Sequence, residues 1–480
     1  MNRRVFSAGA IATSLLVLSA CTATQTSDEA TAATNPPSVQ MTDHFAENGL
    51  GNAVAVIQHP AGEHHNGSTY LSYQGPQEDP YVVSYDHRTG EWFGPFKAGV
   101  SIMGKDPSRR RKIDNHGKPT MIIDNAGYIH VFFGGHGGLR NLHGENPLGN
   151  HHYGENKHVV SKRPLDITEW EELDTIPPFG TYNQVVKMDN GDIYLFYRHG
   201  AHRSDWVYHK STDNGRSFGD PVSFLKHKRR DDLAAVDSWY PYVTKGVGDE
   251  IIVNFDYHLC WDNDGAPDER GHTANRQDIF YMVFDTGDNT WRNIEGETLP
   301  MPLTREVAED KTLVARSGEL WSFNGPVTLD NKGYPHIGIT MGPDLGVSKT
   351  GGPKEMRHYR WTGSEWVGGK PSILPISNGA IVAGDPEDVR FVLASQNVEG
   401  DGTVSWWASA DGGESFTKTR ELLRRSSPSF AISSFIRNAH PDAQIMVAER
   451  LRGTDRRNMY LLGESGPVQR LKMETDQTKP

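Results

Sequence analysis

The sequence predicts an all-β protein, a single seven-bladed β-propeller with Asp-box-like hairpins. A degenerate internal repeat carries that expectation, since repetition at a fixed spacing marks propellers and solenoids. "DNAGYIHVFFGG" (from 124), "DNGDIYLFYRHG" (from 189), "GDEIIVNFDYH" (from 248) and "DNKGYPHIGITMG" (from 330) each join a turn to an alternating apolar strand. Turns of the Asn-Gly kind flanked by such runs are strong hairpin signals. A second unit recurs as "VSYDHRTGEWFGP", "YHKSTDNGRSFGDP", "MVFDTGDNTWRN", "YRWTGSEWVGG" and "WASADGGESFTKT". Each is a strand, a tight polar turn and an aromatic on the return strand. Within these, "STDNGRSF" and "SADGGESF" resemble the Asp-box hairpin, which marks fold and carries no chemistry. Helical periodicity over eleven or more residues is almost wholly missing.

Taken in order, the units fall near 51–99, 118–177, 180–224, 240–297, 330–372 and 384–424, with a last one near 440–465 that closes on the N-terminus. Residues 41–480 are thus expected to form the propeller catalytic domain. What precedes them reads differently. "MNRR" is a basic start, "VFSAGAIATSLLVL" is an apolar run too short to span a bilayer, and "LSAC" follows. That is the layout of an export signal. The small pair before Cys21 resembles the lipobox of bacterial lipoproteins. A signal over 1–20, lipidation at Cys21 and a flexible polar tether over 21–40 are therefore expected. The alternative is a plain secretory signal cleaved nearby. No later stretch is apolar for long enough to be a membrane helix. An exported monomer, held at the outer membrane or cell surface by its lipid alone, is the expectation.

Without residues 1–20, 47 basic side chains face 61 acidic ones, a net charge of −14 with His neutral. Such a balance opposes nonspecific nucleic-acid binding. An anionic substrate would need local basic patches, and "KDPSRRRK" (105–112) and "KHKRR" (226–230) offer two. With Cys21 lipidated, Cys260 is the only thiol left, so no internal disulfide is expected.

The chemistry gathers where the repeats overlay. Inner strands begin with "NHGKP" (His116), "TYNQ" (Tyr182, Asn183) and "SWYPY" (Trp239, Tyr240). Their antiparallel partners end in "GGHGG" (His136), "YRHGAH" (Arg198, His199, His202) and "DYHLC" (His258, Cys260). In a hairpin the start of one strand and the end of the next share an edge. These residues from adjacent units should therefore emerge on one face, where loops on a rigid scaffold carry function. The glycines around His136 are expected to let a ligand approach the backbone.

No paired carboxylates stand out at equivalent positions, which weakens a two-carboxylate glycosidase. Nucleophile elbows and phosphate loops are missing too. A guanidinium, two imidazoles and phenols suit proton abstraction beside a carboxylate. Arg198 can hold that carboxylate bidentately, His can take a proton, and Tyr can give one to the leaving oxygen. The reaction so described is β-elimination at a uronic acid.

The run from "HGKPTMIIDNAGYIHVFFGGHGG" through "TYNQVVKMDNGDIYLFYRHGAH" to "DSWYPYV" resembles the propeller ulvan lyases of polysaccharide lyase family 25, over nearly all of the mature chain. The resemblance implies cleavage of ulvan, a sulfated polysaccharide of rhamnose and uronic acid, leaving an unsaturated uronate end. It places the family's His–His–Tyr–Arg set on His116, His136, Tyr182 and Arg198, with Tyr240 as a substrate contact. Asn183, His199 and Trp239 are further expected contacts. Arg198, with His136, would neutralise the carboxylate. His116 or Tyr182 would take the C5 proton, and Tyr182 would protonate O4. The basic patches would meet sulfates.

His202, His258, Cys260 and His272 form a candidate metal set, since imidazole and thiolate suit zinc. One structural zinc, supported by the resemblance, and no organic cofactor are expected. Two rivals stay open: a sialidase-like glycoside hydrolase, which needs an arginine triad and a Tyr–Glu pair, and a non-catalytic cell-surface glycan-binding propeller.

Overall fold

The computed structural model describes residues 40–50, 58–105, 113–114, 116–262, 275–323, 325–343, 354–375, 378–396, 400–426 and 430–471. The expected signal, tether and lipidated Cys21, the metal candidate His272 and all of the 105–112 run except Lys105 lie outside these residues.

Regular structure among the described residues is almost all strand, with short α-helices at Arg140–His143 and Arg305–Lys311 and a single 3-10 turn at Pro76–Glu78. Strands pair antiparallel with their neighbours in sequence, forming sheets over 120–173, 181–225, 228–315, 321–368 and 378–425. The remaining large sheet unites the two ends of the chain. Strands Gly62–His65, Ser68–Gln74, Pro80–Asp86 and Glu91–Lys97 join Phe430–His440, Ala443–Arg450 and Arg457–Gly463, and Ala46–Gly49 adds to the outer edge. The junction is a parallel contact of Glu63 with Arg437, reinforced by their ion pair at 2.6 Å. The unit bounds read from the sequence fall within a few residues of the sheets over 120–173 and 181–225; the other units differ by about six to eighteen residues at one end or both, most of all 240–297, whose sheet runs over 228–315.

Alternation explains the packing. Val131 and Phe133 from "IHVFF" enter one apolar cluster with Met121 and Ile123, while Phe132 enters the next with Val185 and Leu195. Successive side chains point to opposite faces, so each strand serves two interlayer cores. That double burial is why its sequence is nearly continuously apolar.

Two copies of one polar device anchor the repeats. Asp124 accepts the N–H groups of Ala126 and Tyr128, both at 2.8 Å, closing the turn, and its other oxygen meets His130 at 3.4 Å. His130 in turn bonds His158 at 2.9 Å. Asp330, Lys332, Tyr334, His336 and His358 repeat every contact. These buried imidazoles are structural, their polar atoms paired as interior groups must be.

The next sheet caps each device with a serine-aspartate turn. Ser211 Oγ donates to Asp213 and accepts from Gly215, while Ser217 donates to Asp213 through both N–H and Oγ. Ser409, Asp411, Gly413 and Ser415 do the same. Gly413 has φ +91, and a Cβ there would lie 2.0 Å from His358 Nδ1. Gly413→Ala should therefore cost about 2–4 kcal/mol through left-handed strain and a clash with a fixed ring. Urea unfolding checks this; an unchanged midpoint would refute the cap.

Candidate active site

The hairpin edge delivers the expected constellation. Strand Thr181–Lys187 pairs with Ile193–Arg198 so that Thr181 lies opposite Arg198. Strand Ala235–Lys245 pairs with Glu250–Trp261 so that Ser238 lies opposite His258. His136 ends strand Ile129–His136, and His116 sits in the turn before Thr120–Ile123. The imidazoles of His116 and His136 stack with centroids 3.7 Å apart and planes 13° apart. Tyr182 stands 4.9 Å from the His116 ring, and the Arg198 guanidinium carbon lies 5.0 Å from the Tyr182 ring. Four side chains expected to meet do meet.

The glycines beside His136 serve a different purpose from the one expected. A Cβ on Gly134 would sit 2.4 Å from the Glu155 carbonyl, and one on Gly135 2.5 Å from the Gly180 carbonyl. The close approach is by neighbouring protein backbone, which fixes the strand end that carries His136.

The residue that organises the imidazoles escaped the sequence reading. Asp114 accepts from His116 Nδ1 at 2.5 Å through one oxygen and from His136 Nδ1 at 2.9 Å through the other. The first oxygen also takes the His116 backbone N–H at 2.7 Å. Burial would raise this carboxyl, but the hydrogen bonds it accepts from the two histidines overcome that and hold Asp114 well below the usual carboxylate range. An ionised carboxylate only accepts, so both Nδ1 atoms carry the hydrogen, and a neutral ring then presents its lone pair at Nε2. His136 Nε2 is buried with no hydrogen-bond partner among the described residues. Burial and the neighbouring His116 push His136 down to about 3, so it is neutral near pH 7.

Tyr182 is held in an unusual backbone state. Its φ is +64, rare for a bulky side chain, and its N–H donates to the His116 carbonyl at 3.2 Å across the bulge between Thr181 and Gln184. Such local strain persists where surrounding structure over-determines it. Burial, with Tyr240 adding, raises the Tyr182 phenol above its ordinary value, against the pull of Arg198 and Arg276. Tyr182 is therefore a protonated phenol at rest. Arg198 is fully buried, donates through Nη1 to Tyr240 Oη at 3.2 Å, and keeps Nε and Nη2 without acceptors among the described residues. Those two nitrogens form one edge of the guanidinium, the geometry that grips a carboxylate bidentately.

The other expected contacts divide. Tyr240 belongs to the cluster, 5.8 Å from Tyr182 by ring centroid. Asn183 instead donates to Asn156 at 2.8 Å between sheets. His199 bonds Asn146 at 2.9 Å and packs against Phe179 and Tyr197, away from Arg198's partners. Trp239 is 0 % exposed, donates to the Lys226 carbonyl and packs on Phe255, Tyr257 and Phe280. It is a core residue; an aromatic beside Tyr240 on an alternating strand points to the other face.

The basic run 226–230 is spent within the protein. Lys226 pairs with Asp205 at 2.9 Å, Lys228 with Glu306 at 2.8 Å, Arg229 with Asp262 at 2.5 Å and Arg230 with Asp232 at 2.6 Å. Lys105 likewise pairs with Asp79 at 2.5 Å. Instead, the cation that the sequence reading missed is Arg276, which stacks on Tyr240 with its guanidinium carbon 3.4 Å from the ring centroid.

Three of the four metal candidates converge. The ligating atoms of His202, His258 and Cys260 all lie within 4.8 Å of one another. His258 and Cys260 share a face of one strand by the two-residue period, and His202 comes from the neighbouring sheet's loop. Two imidazoles and a thiol are a donor set that fits zinc with one position left over. His202 also groups with His116 and His136, so it stands between the two clusters.

Known proteins show the same scaffold. The BNR repeat-containing family profile matches residues 68–370. A PL25 ulvan lyase of Pseudoalteromonas sp. (strain PLSV) is 58% identical over 430 residues, covering 89% of this chain and 87% of that protein. An ulvan lyase of Nonlabens ulvanivorans is 56% identical over 432 residues, covering 90% and 91%. A solved PL25 ulvan lyase bound to -[GlcA(1-4)Rha3S]- has a TM-score of 0.85 at 57% identity, over 90% of this chain and 98% of its own. The polysaccharide lyase Uly1, at 17% identity and a TM-score of 0.59, shares the fold alone. Fold and relatives together define a polysaccharide lyase built on BNR-repeat sheets. Within that class, the chain belongs to the ulvan lyases of polysaccharide lyase family 25.

Proposed function

We propose that the protein cleaves ulvan by β-elimination at the uronic acid, with His116 as base, Tyr182 as acid and Arg198 on the carboxylate. The observation that carries the assignment is the Asp114-bridged imidazole pair beside Tyr182 and the acceptor-free edge of Arg198. Arg198 Nε and Nη2 engage the uronate carboxylate, where negative charge grows as C5 loses its proton. Preorganised donors at developing charge are worth about 3–4 kcal/mol each. His136, neutral and presenting a lone pair, has no proton to offer that carboxylate, so neutralisation falls to Arg198. His116 Nε2 takes the C5 proton, the electron pair forms the C4–C5 double bond, the C4–O4 bond breaks, and Tyr182 protonates O4. A phenol that is protonated at rest suits the acid role better than the base role.

Incubation with ulvan should generate the ultraviolet absorbance of the new C4–C5 double bond. Reducing ends without that absorbance would indicate a hydrolase, and neither would indicate a binder.

The scaffold reads as seven blades of four strands, the last completed by Ala46–Gly49, with Asp-box turns at 211–217 and 409–415; the sheet pairing and turn contacts support this. His202, His258 and Cys260 would hold a structural zinc, which supplies cross-linking of two sheets and no step of the reaction. Removing it with a chelator should lower Tm by several degrees while the still-folded fraction turns over normally. Lost turnover at unchanged Tm would reverse that reading. Export and anchoring through Cys21 rest on "LSAC" and its preceding apolar run; fatty-acid labelling that persists in Cys21→Ser would sink them.

A further inference from the structure

Arg276 opens strand Arg276–Asp285, opposite His258, and is 8 % exposed. Its guanidinium carbon lies 3.4 Å from the Tyr240 ring centroid and 4.3 Å from that of Phe323. Nε and Nη1 are buried without a hydrogen-bond partner among the described residues. A guanidinium stays charged at every working pH, and buried charges are ordinarily paired. Two aromatic faces hold this one in place without supplying an acceptor. Such a group is built to receive an anion from outside the chain.

Which anion follows from the neighbour. Tyr240 is shared between two guanidiniums, Arg198 at 5.4 Å from its centroid and Arg276 at 3.4 Å. The edge of Arg198 already matches the two oxygens of one carboxylate. A polymer of uronate and 3-sulfated rhamnose carries its second anion one sugar away. We propose that Arg276 binds the sulfate ester on the sugar next to the uronate held by Arg198, making the enzyme selective for sulfated substrate. The inference rests on the proposed lyase function for its substrate, but its test can be read by binding alone.

The experiment compares the native protein with Arg276→Gln and Arg276→Lys on ulvan oligosaccharides before and after chemical desulfation, by calorimetric binding and by turnover. With sulfated oligosaccharide, Arg276→Gln should weaken binding and raise KM about tenfold, kcat holding within about twofold. With desulfated oligosaccharide, native and variant should bind alike. Arg276→Lys, which keeps the charge and loses the fork, should fall between them. Removing an unpaired buried cation should leave the Tm of Arg276→Gln equal to or above native, while sulfated ligand raises that Tm less than it raises the native one. Equal losses on both substrates, no loss on either, or a fall confined to kcat would overturn the assignment. Absence of double-bond absorbance from the native enzyme would count against the lyase function instead, with the binding arms still deciding Arg276.

Discussion

Tyr182→Phe is expected to lower kcat about a thousandfold while KM and Tm stay near native. The substitution removes one hydroxyl and keeps the ring, which stacks parallel to Trp206 at 6.2 Å and packs against Tyr240 and His116. The left-handed backbone at φ +64 is set by the bulge and the bond to the His116 carbonyl, neither of which the hydroxyl makes. Ground-state binding of the polymer is therefore left alone. What goes is the proton for O4, and positioned proton transfer contributes roughly 10²–10⁴-fold. A loss of this kind falls on kcat and kcat/KM together, the mark of an interaction made in the transition state. Double-bond absorbance at saturating ulvan measures it. Native-like kcat in Tyr182→Phe would remove the phenol from the reaction and leave O4 to water.

Sequence and structure agree most closely where a hairpin argument was available. Strand start and partner strand end share an edge by geometry, so His116, His136, Tyr182 and Arg198 could be placed together from the repeats alone. Counting histidines was a poorer guide. Ten of the 21 lie between His116 and His209, yet His130, His158 and His209 are buried structural groups tied to Asp124, Thr175 and Gly219. Trp239 misled because an adjacent aromatic on a strand belongs to the opposite face. Asp114 was legible in principle, two residues before His116 in "DNH", but nothing in one sequence says that its second oxygen reaches a strand 22 residues on. Arg276 carried no signal. It stands alone outside the basic runs, and its standing depends on lacking the ion pairs that neutralise Lys226, Lys228, Arg229 and Arg230. Charge clusters report where cations are dense; a missing counter-charge is visible only in three dimensions.

Asp114→Asn should cost between about a hundredfold and ten-thousandfold in kcat with nearly constant KM, although residue 114 need touch no substrate. The carboxylate accepts from two imidazoles at once, and an amide has one acceptor and one donor end. Whichever ring faces the new NH₂ must turn its Nδ1 lone pair toward it and carry its hydrogen on Nε2. If that ring is His116, the base has its proton already; if it is His136, the stacked pair at 3.7 Å loses its shared anchor. Fixing the wrong imidazole tautomer in place is known to be costly in hydrolases built on an Asp–His pair. Histidine side-chain ¹⁵N shifts give a readout that a purely structural aspartate would not move: both rings as Nδ1–H in the native protein, one as Nε2–H in the variant. Stability adds a second check with a definite sign. The folded carboxyl titrates below its unfolded value, so its contribution is present above about pH 4 and fades as pH falls below it. The Tm gap between native and Asp114→Asn should therefore be widest near neutrality and shrink on acidification. An unaltered kcat, or two unchanged tautomers, would mean that the imidazoles take their orientation from stacking and backbone, with Asp114 a bystander.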